Sequence, residues 1–234
     1  MIRRATDDGW ELVTQPDHGR LAADILGCLA ERPRGPEEGF RAAVAHHDDG
    51  WAERDRAPRP GPDGGPETFL DLPLVEHLAL SDDSVRLAGE HHPYAEAVVA
   101  RHVAWLHGAR PVADPEAAAE RDRVIGGWRE TAERQAAAVG IGPADLDHDQ
   151  RLCALVDLLS LWAVGWPAAD ELGLELPDGE EAEARRDGDG ALRLSAALLP
   201  AARRVAVPVA RVAASEPCAL IAASSRAIDL VPAS

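Results

Sequence analysis

Lysine is missing altogether: all 24 basic residues are arginine, set against 41 acidic ones, for a formal net charge of −17. A polyanion would be repelled by such a chain, and no basic face offsets the deficit, so nucleic acid is excluded as a partner. Any anion held here must be held by Arg, His, backbone amides or a metal. Cysteine is scarce too. Cys28, Cys153 and Cys218 form no close pair, which argues against a disulfide framework and a zinc ribbon. Cys28 and Cys153 fall in apolar helical stretches and are expected as buried thiols in a reducing, cytoplasmic compartment. No apolar run approaches the roughly 20 residues of a membrane span. The opening MIRRATDDGWELV has no hydrophobic stretch of the kind a signal peptide needs, so no membrane partner is expected.

What remains is an ordinary globular composition, 46% hydrophobic and 28% charged over 234 residues. It reads as a single domain over 1–234, with residues 200–234 as a β appendage of that domain. Residues 9–15 alternate and predict a short strand. Pro16-Asp17 opens a helix reaching Ala30, with Leu21, Ile25, Leu26 and Leu29 on one face. Further helices are predicted over 40–47, 72–90, 93–108, 114–138 and 147–164. RAPRPGPDGGPE reads as loop, and so does the acidic stretch 177–189. RVAVPVARV and CALIAASSRAIDL are rich in Val and Ile and predict strands that pair with the N-terminal one. The expected fold is therefore mainly α, a helical bundle with a small sheet from the N-terminal and C-terminal strands. Those C-terminal strands could serve as a lid or as the surface of a homodimer.

The chemistry concentrates in Ala45-His46-His47-Asp48-Asp49-Gly50-Trp51. Such groups could simply decorate a fraying helix end, with Gly50 as its stop. Aspartate at a helix C-terminus, however, lies on the unfavourable side of the macrodipole. Gathering several ionisable groups is costly unless a divalent cation compensates. Asp157, alone in Leu-Val-Asp-Leu-Leu-Ser-Leu, is a second such signal, because an unpaired buried carboxylate costs several kcal/mol. His107 lies about 140° round a helix from His102 and reads as a surface or supporting residue. His91-His92 read as solvated loop and His148 as part of a helix start. Trp51 and Trp105 are candidates for a pocket wall.

His47-Asp48-x-Gly50 after an apolar helix resembles the motif of the HD superfamily of helical metalloenzymes. That resemblance implies an HD-like helical bundle with a binuclear site. Its ligands would be His18, the His47-Asp48 doublet, His77 and His102 on the intervening helices, and Asp157. The metals would be two divalent transition ions, Fe, Mn, Zn or Co, which suit nitrogen and carboxylate donors. His46 and Asp49 would move protons and Arg101 would contact an oxyanion. Many HD enzymes carry a lysine soon after the doublet; here Trp51 and Arg54 follow, leaving Arg101, Arg54 or Arg20 to substitute. The strings QPDH, AHHDDGW and HPYAEAVVARH also resemble an uncharacterised bacterial family, the domain-of-unknown-function group DUF3891, which implies no activity.

The leading functional expectation is a metal-dependent phosphohydrolase acting on a small, anionic, phosphorylated molecule. A di-iron oxygenase of a small polar substrate uses the same ligands. A non-catalytic binding protein is the third reading.

Overall fold

The computed structural model describes residues 1–188 and 190–233, and of Pro217 and Cys218 only the backbone. The chain forms two compact units. The first comprises residues 1–32, 51–72 and 155–234, and the second comprises 33–50 and 73–154.

The first unit carries a seven-stranded sheet in the order β1-β2-β6-β7-β5-β4-β3. Its strands are β1 (Ile2–Thr6), β2 (Gly9–Val13), β3 (Glu171–Glu175), β4 (Glu181–Arg186), β5 (Leu192–Leu194), β6 (Arg203–Ala213) and β7 (Glu216–Pro232). Every neighbouring pair is antiparallel except β5 with β7, so the sheet is mixed. In β6, Val205, Val207 and Val209 are buried while their neighbours face out, the period of a half-buried strand.

Helix α1 (Gln15–Cys28) packs on β6. Thr14 ends β2 and caps the helix, its Oγ1 accepting from the Asp17 amide at 3.1 Å. Pro16 occupies the first turn, where a missing N–H costs nothing. The stripe Leu21, Ile25, Leu26 and Leu29 is buried as expected.

Helices occupy 50% of the chain and strands 23%, which overturns the mainly α bundle with a small sheet. The chain is not all-α. β6 and β7 were expected, but β1, β3, β4 and β5 were not. β3 and β4 read Glu-Leu-Gly-Leu-Glu and Glu-Ala-Glu-Ala-Arg-Arg, made largely of residues poor in β propensity. Their buried positions, Leu174 and Ala184, reveal the pattern only once the sheet is known. The acidic stretch 177–189 thus holds a strand over 181–186, while Asp189 lies outside the described residues.

Glu11 is a buried charge in this sheet, 4% exposed. Directly opposite it stand Arg4 on β1 and Arg211 on β6. Both donate to it, as does Arg226 from β7 at 3.0 Å. Burial alone would raise the Glu11 carboxyl; the hydrogen bonds from Arg4 and Arg211 outweigh it and hold it below its ordinary range. A depressed carboxylate contributes stability above its unfolded pKa and loses it as pH falls through the folded one. Glu11→Gln should therefore cost about 1–3 kcal/mol at neutral pH, discounted because Arg4 and Arg211 are partly solvated. In urea titrations the gap between variant and native protein should close as pH falls below about 4. A gap independent of pH would mean the charge contributes nothing.

The second unit is helical: α2 (Glu37–His46), α3 (Leu74–His91), α4 (Pro93–Ala109), α5 (Pro115–Ala138) and the first half of α6 (Pro143–Val164). α4 contacts α2, α3 and α5. Its Val98, Val99 and Ala100 are wholly buried. His92, expected in a solvated loop, caps α4 by accepting from the Tyr94 amide at 2.9 Å. Asp149 of α6 is a polar staple within this unit. Its Oδ1 accepts from the Arg34 amide (2.8 Å) and His148 Nδ1 (2.9 Å), and its Oδ2 from the Gly35 amide (2.9 Å) and the Tyr94 hydroxyl (2.7 Å). Burial, then this carboxylate, pushes the Tyr94 phenol upward.

Among the described residues, no helix is long and apolar enough to cross a membrane. Neither Cys28 nor Cys153 is in a disulfide. Cys153 is buried, but Cys28 is only half-buried; the side chain of Cys218 lies outside the described residues.

Candidate functional site

In the first unit, His18 and Asp157 come together. His18, one turn into α1, has no exposed surface, and Asp157 is 8% exposed. Ser160 lies three residues beyond Asp157 and donates its hydroxyl hydrogen to the Asp157 carbonyl at 2.8 Å. Its oxygen then accepts from His18 Nδ1, 2.7 Å away. With the Nδ1 proton spent there, His18 Nε2 is the atom facing Asp157 Oδ1, at 3.4 Å. That separation is longer than the roughly 2.9 Å usual for an N–H···O bond. It equals the spacing of two donors on one tetrahedral cation, each about 2.0–2.1 Å from it.

The second unit repeats this logic in the doublet. His47 closes α2 in helical conformation and is 2% exposed. Its Nδ1 donates to the Val44 carbonyl at 2.8 Å, which leaves Nε2 toward Asp48 Oδ2 at 3.6 Å. A histidine whose far nitrogen is tied to a carbonyl is fixed in tautomer and orientation, the usual condition of a metal ligand. The His102 ring on α4 meets His47 edge-on, centroids 5.6 Å apart, and has no exposed surface.

The 3-10 turn Asp49–Trp51 follows. Gly50 was expected as a helix stop, yet it has no positive φ. Its role is close approach: a Cβ there would lie 2.2 Å from the Leu80 carbonyl oxygen of α3. Beside it, His46 Nδ1 donates to Asp49 Oδ2 at 2.7 Å, and the His46 ring stacks on His91 at 3.8 Å. His46, Asp49 and His91 place one donor atom each within 4.8 Å of one another. Asp49 Oδ1 is buried with no hydrogen-bond partner among the described residues.

His77 is 9% exposed and lies against His107, the two ring centroids 6.0 Å apart. His107 is not a surface residue. It is 5% exposed, 2.9 Å from Ser81 Oγ through Nε2, and tilted against Trp128. Burial first, then the charges of His77, Arg110 and Arg121, push its imidazole down to about 4, so it is neutral at pH 7. His148 is likewise buried, as a donor to Asp149.

The arginines nominated for an oxyanion are engaged with carboxylates. Arg101 donates from Nε and Nη2 to Asp147 Oδ1 at 3.0 and 2.6 Å. Arg54 pairs with Glu67 at 2.8 Å and Arg20 with Asp17 at 3.1 Å. Trp51 is buried at 3% exposure, whereas Trp105 is 51% exposed and does line a cavity. Sequence reasoning missed Ser160, although its i+3 spacing from Asp157 was a usable signal. The carbonyl of Val44 carries no sequence signal at all.

These features define a protein of helices and a mixed sheet in which His18 and His47, each buried and held by a hydrogen bond through Nδ1, face a carboxylate oxygen. A family model described as "Protein of unknown function (DUF3891)" matches residues 1–212, and the chain belongs to that family. No curated protein and no solved structure matches the chain.

Proposed function

We propose that this chain is a metal-dependent hydrolase of a small phosphorylated molecule. Its ligands are His18 and Asp157 in the first unit and His47, Asp48, His77 and His102 in the second. The supporting observation is the pairing of a buried imidazole Nε2 with a carboxylate oxygen, with Nδ1 already committed elsewhere, at both His18 and His47. A ring nitrogen and a carboxylate oxygen at such a separation can share one cation. Nitrogen and carboxylate donors suit Mn, Zn, Co or Fe. Such an ion, when bound, lowers the pKa of a water toward neutrality and offsets charge developing on phosphorus.

The remaining roles fall to the protein. Asp49 accepts the Nδ1 proton of His46 and so leaves Nε2 as the basic nitrogen, the arrangement of a general base held by a carboxylate. Stacking on His91 fixes the plane of that ring.

The test is metal analysis of protein purified without a metal-affinity tag. About two divalent ions per chain are expected. His18→Ala, His47→Ala and Asp157→Ala should each lower that count and abolish phosphate release from a phosphomonoester. Mn, Zn or Co supports the hydrolase. Iron with an oxygen-sensitive visible spectrum would replace it with the oxygenase reading. A folded protein that takes up no metal on reconstitution would overturn both.

A further inference from the structure

Within the second unit, a cavity of about 520 Å³ opens among α4, α5 and α6. It is lined by Arg101, Trp105, Arg129, Asp147, Gln150 and Arg151, with Ala104 between the helices. The sequence places these side chains in matched helical sets: 101, 104 and 105 on α4, and 147, 150 and 151 on α6. Both spacings put three side chains on one face.

Three guanidinium groups thus meet one carboxylate in a chain that is otherwise strongly acidic. Arg101 is held by Asp147. Arg129 and Arg151 form no ion pair among the described residues. Exposed arginines alone would mean little, since solvated arginine is ordinary. Gln150 changes the reading. It is 7% exposed, and its Nε2 is buried without a hydrogen-bond partner among the described residues. A buried donor left unmade costs about 1–3 kcal/mol, which an acceptor in the cavity would recover once the Gln150 amide turns to meet it. Trp105 adds a half-exposed indole to the same wall, a surface for a flat ring.

We infer that this cavity binds a small organic anion that joins a phosphate group to a planar ring. The phosphate is held by Arg129, Arg151 and the Gln150 amide, with Arg101 fixed by Asp147 at the rim, and the ring lies against Trp105. The volume falls in the range of small-molecule sites, roughly 300–1,000 Å³. Arginine suits the role because its fork matches phosphate oxygens. This site uses none of the proposed metal ligands and stands whether or not the hydrolase reading does.

The experiment titrates chelator-treated protein with phenyl phosphate, inorganic phosphate and phenol, following heat and tryptophan fluorescence. Phenyl phosphate should bind about tenfold or more tightly than either half of it. Arg129→Gln/Arg151→Gln should weaken it about a hundredfold, since two charge-assisted contacts are lost. Trp105→Leu should weaken phenyl phosphate while leaving inorganic phosphate unchanged. Gln150→Leu should weaken both anions; because Gln150 is buried, its folding is checked by circular dichroism. Absence of phenyl phosphate binding at millimolar concentration, or binding unchanged in the double arginine variant, would overturn the inference. So would binding that requires metal to be restored. Binding retained by protein that takes up no metal on reconstitution would leave this site standing while the hydrolase falls.

Discussion

Asp149→Ala should cost about 3–5 kcal/mol of unfolding free energy. The carboxylate is wholly buried, and the substitution strands the amides of Arg34 and Gly35, the Tyr94 hydroxyl and His148 Nδ1. Asparagine is no remedy. Each oxygen of Asp149 accepts from one backbone amide, so either orientation of an asparagine turns its NH₂ toward a backbone N–H. Two donors then face each other with water excluded. Urea unfolding should find Asp149→Asn nearly as unstable as Asp149→Ala. An Asn variant within about 1 kcal/mol of the native protein would show that the staple contributes only through shape.

Gly50→Ala is the second large effect, and its origin is steric. The added methyl would meet the Leu80 carbonyl oxygen at 2.2 Å and Ser84 N at 2.7 Å, both backbone atoms of α3. No rotamer change relieves such a contact, so the turn that carries His47, Asp48 and Asp49 must move off α3. A cost of about 2–4 kcal/mol is expected, and on the proposed metal reading a lower metal content accompanies it. Ser84→Ala is the control. It removes the 3.1 Å bond from the Gly50 amide to Ser84 Oγ yet leaves the turn its room. That variant should lose only about 1 kcal/mol. Equal behaviour of the two would assign the effect to the hydrogen bond.

The helices were legible because their starts and faces are written locally. Pro16, Pro93 and Pro115 each stand in a first turn, and the α1 stripe recurs at helical spacing, whereas α6, expected from residue 147, begins at Pro143. β6 was legible from its alternating valines. β2 and β7 were legible too, whereas β1, β3, β4 and β5 were not, because their residues are largely poor in β propensity and pairing rather than composition makes them strands. Burial within the sheet was hidden as well: nothing in β2 itself marks Glu11 as a buried charge until Arg211, 200 residues on, arrives opposite it. The doublet and Asp157 were conspicuous as charges in apolar company. What locks His18 and His47, a serine hydroxyl and a main-chain carbonyl, follows from folded geometry alone. The cavity at Gln150 was hidden for the same reason, since an amide without a partner cannot be read from a string of letters.

The pairing of β2 with β6 also has a consequence for how the chain acquires its shape. The second unit is complete by residue 154, when most of the sheet has yet to be made. β1 and β2 can form a hairpin early, but one flank of β2 stays open until residues 210–213 emerge. Loop-closure entropy must be met before that pairing returns anything, so the sheet is the slow step and the helices the fast one. A nascent chain thus carries an uncovered strand edge on β2 until β6 is made. The arginines and glutamate that flank it, Arg3, Arg4 and Glu11, are charges of the kind that discourage such an edge from pairing with the wrong chain.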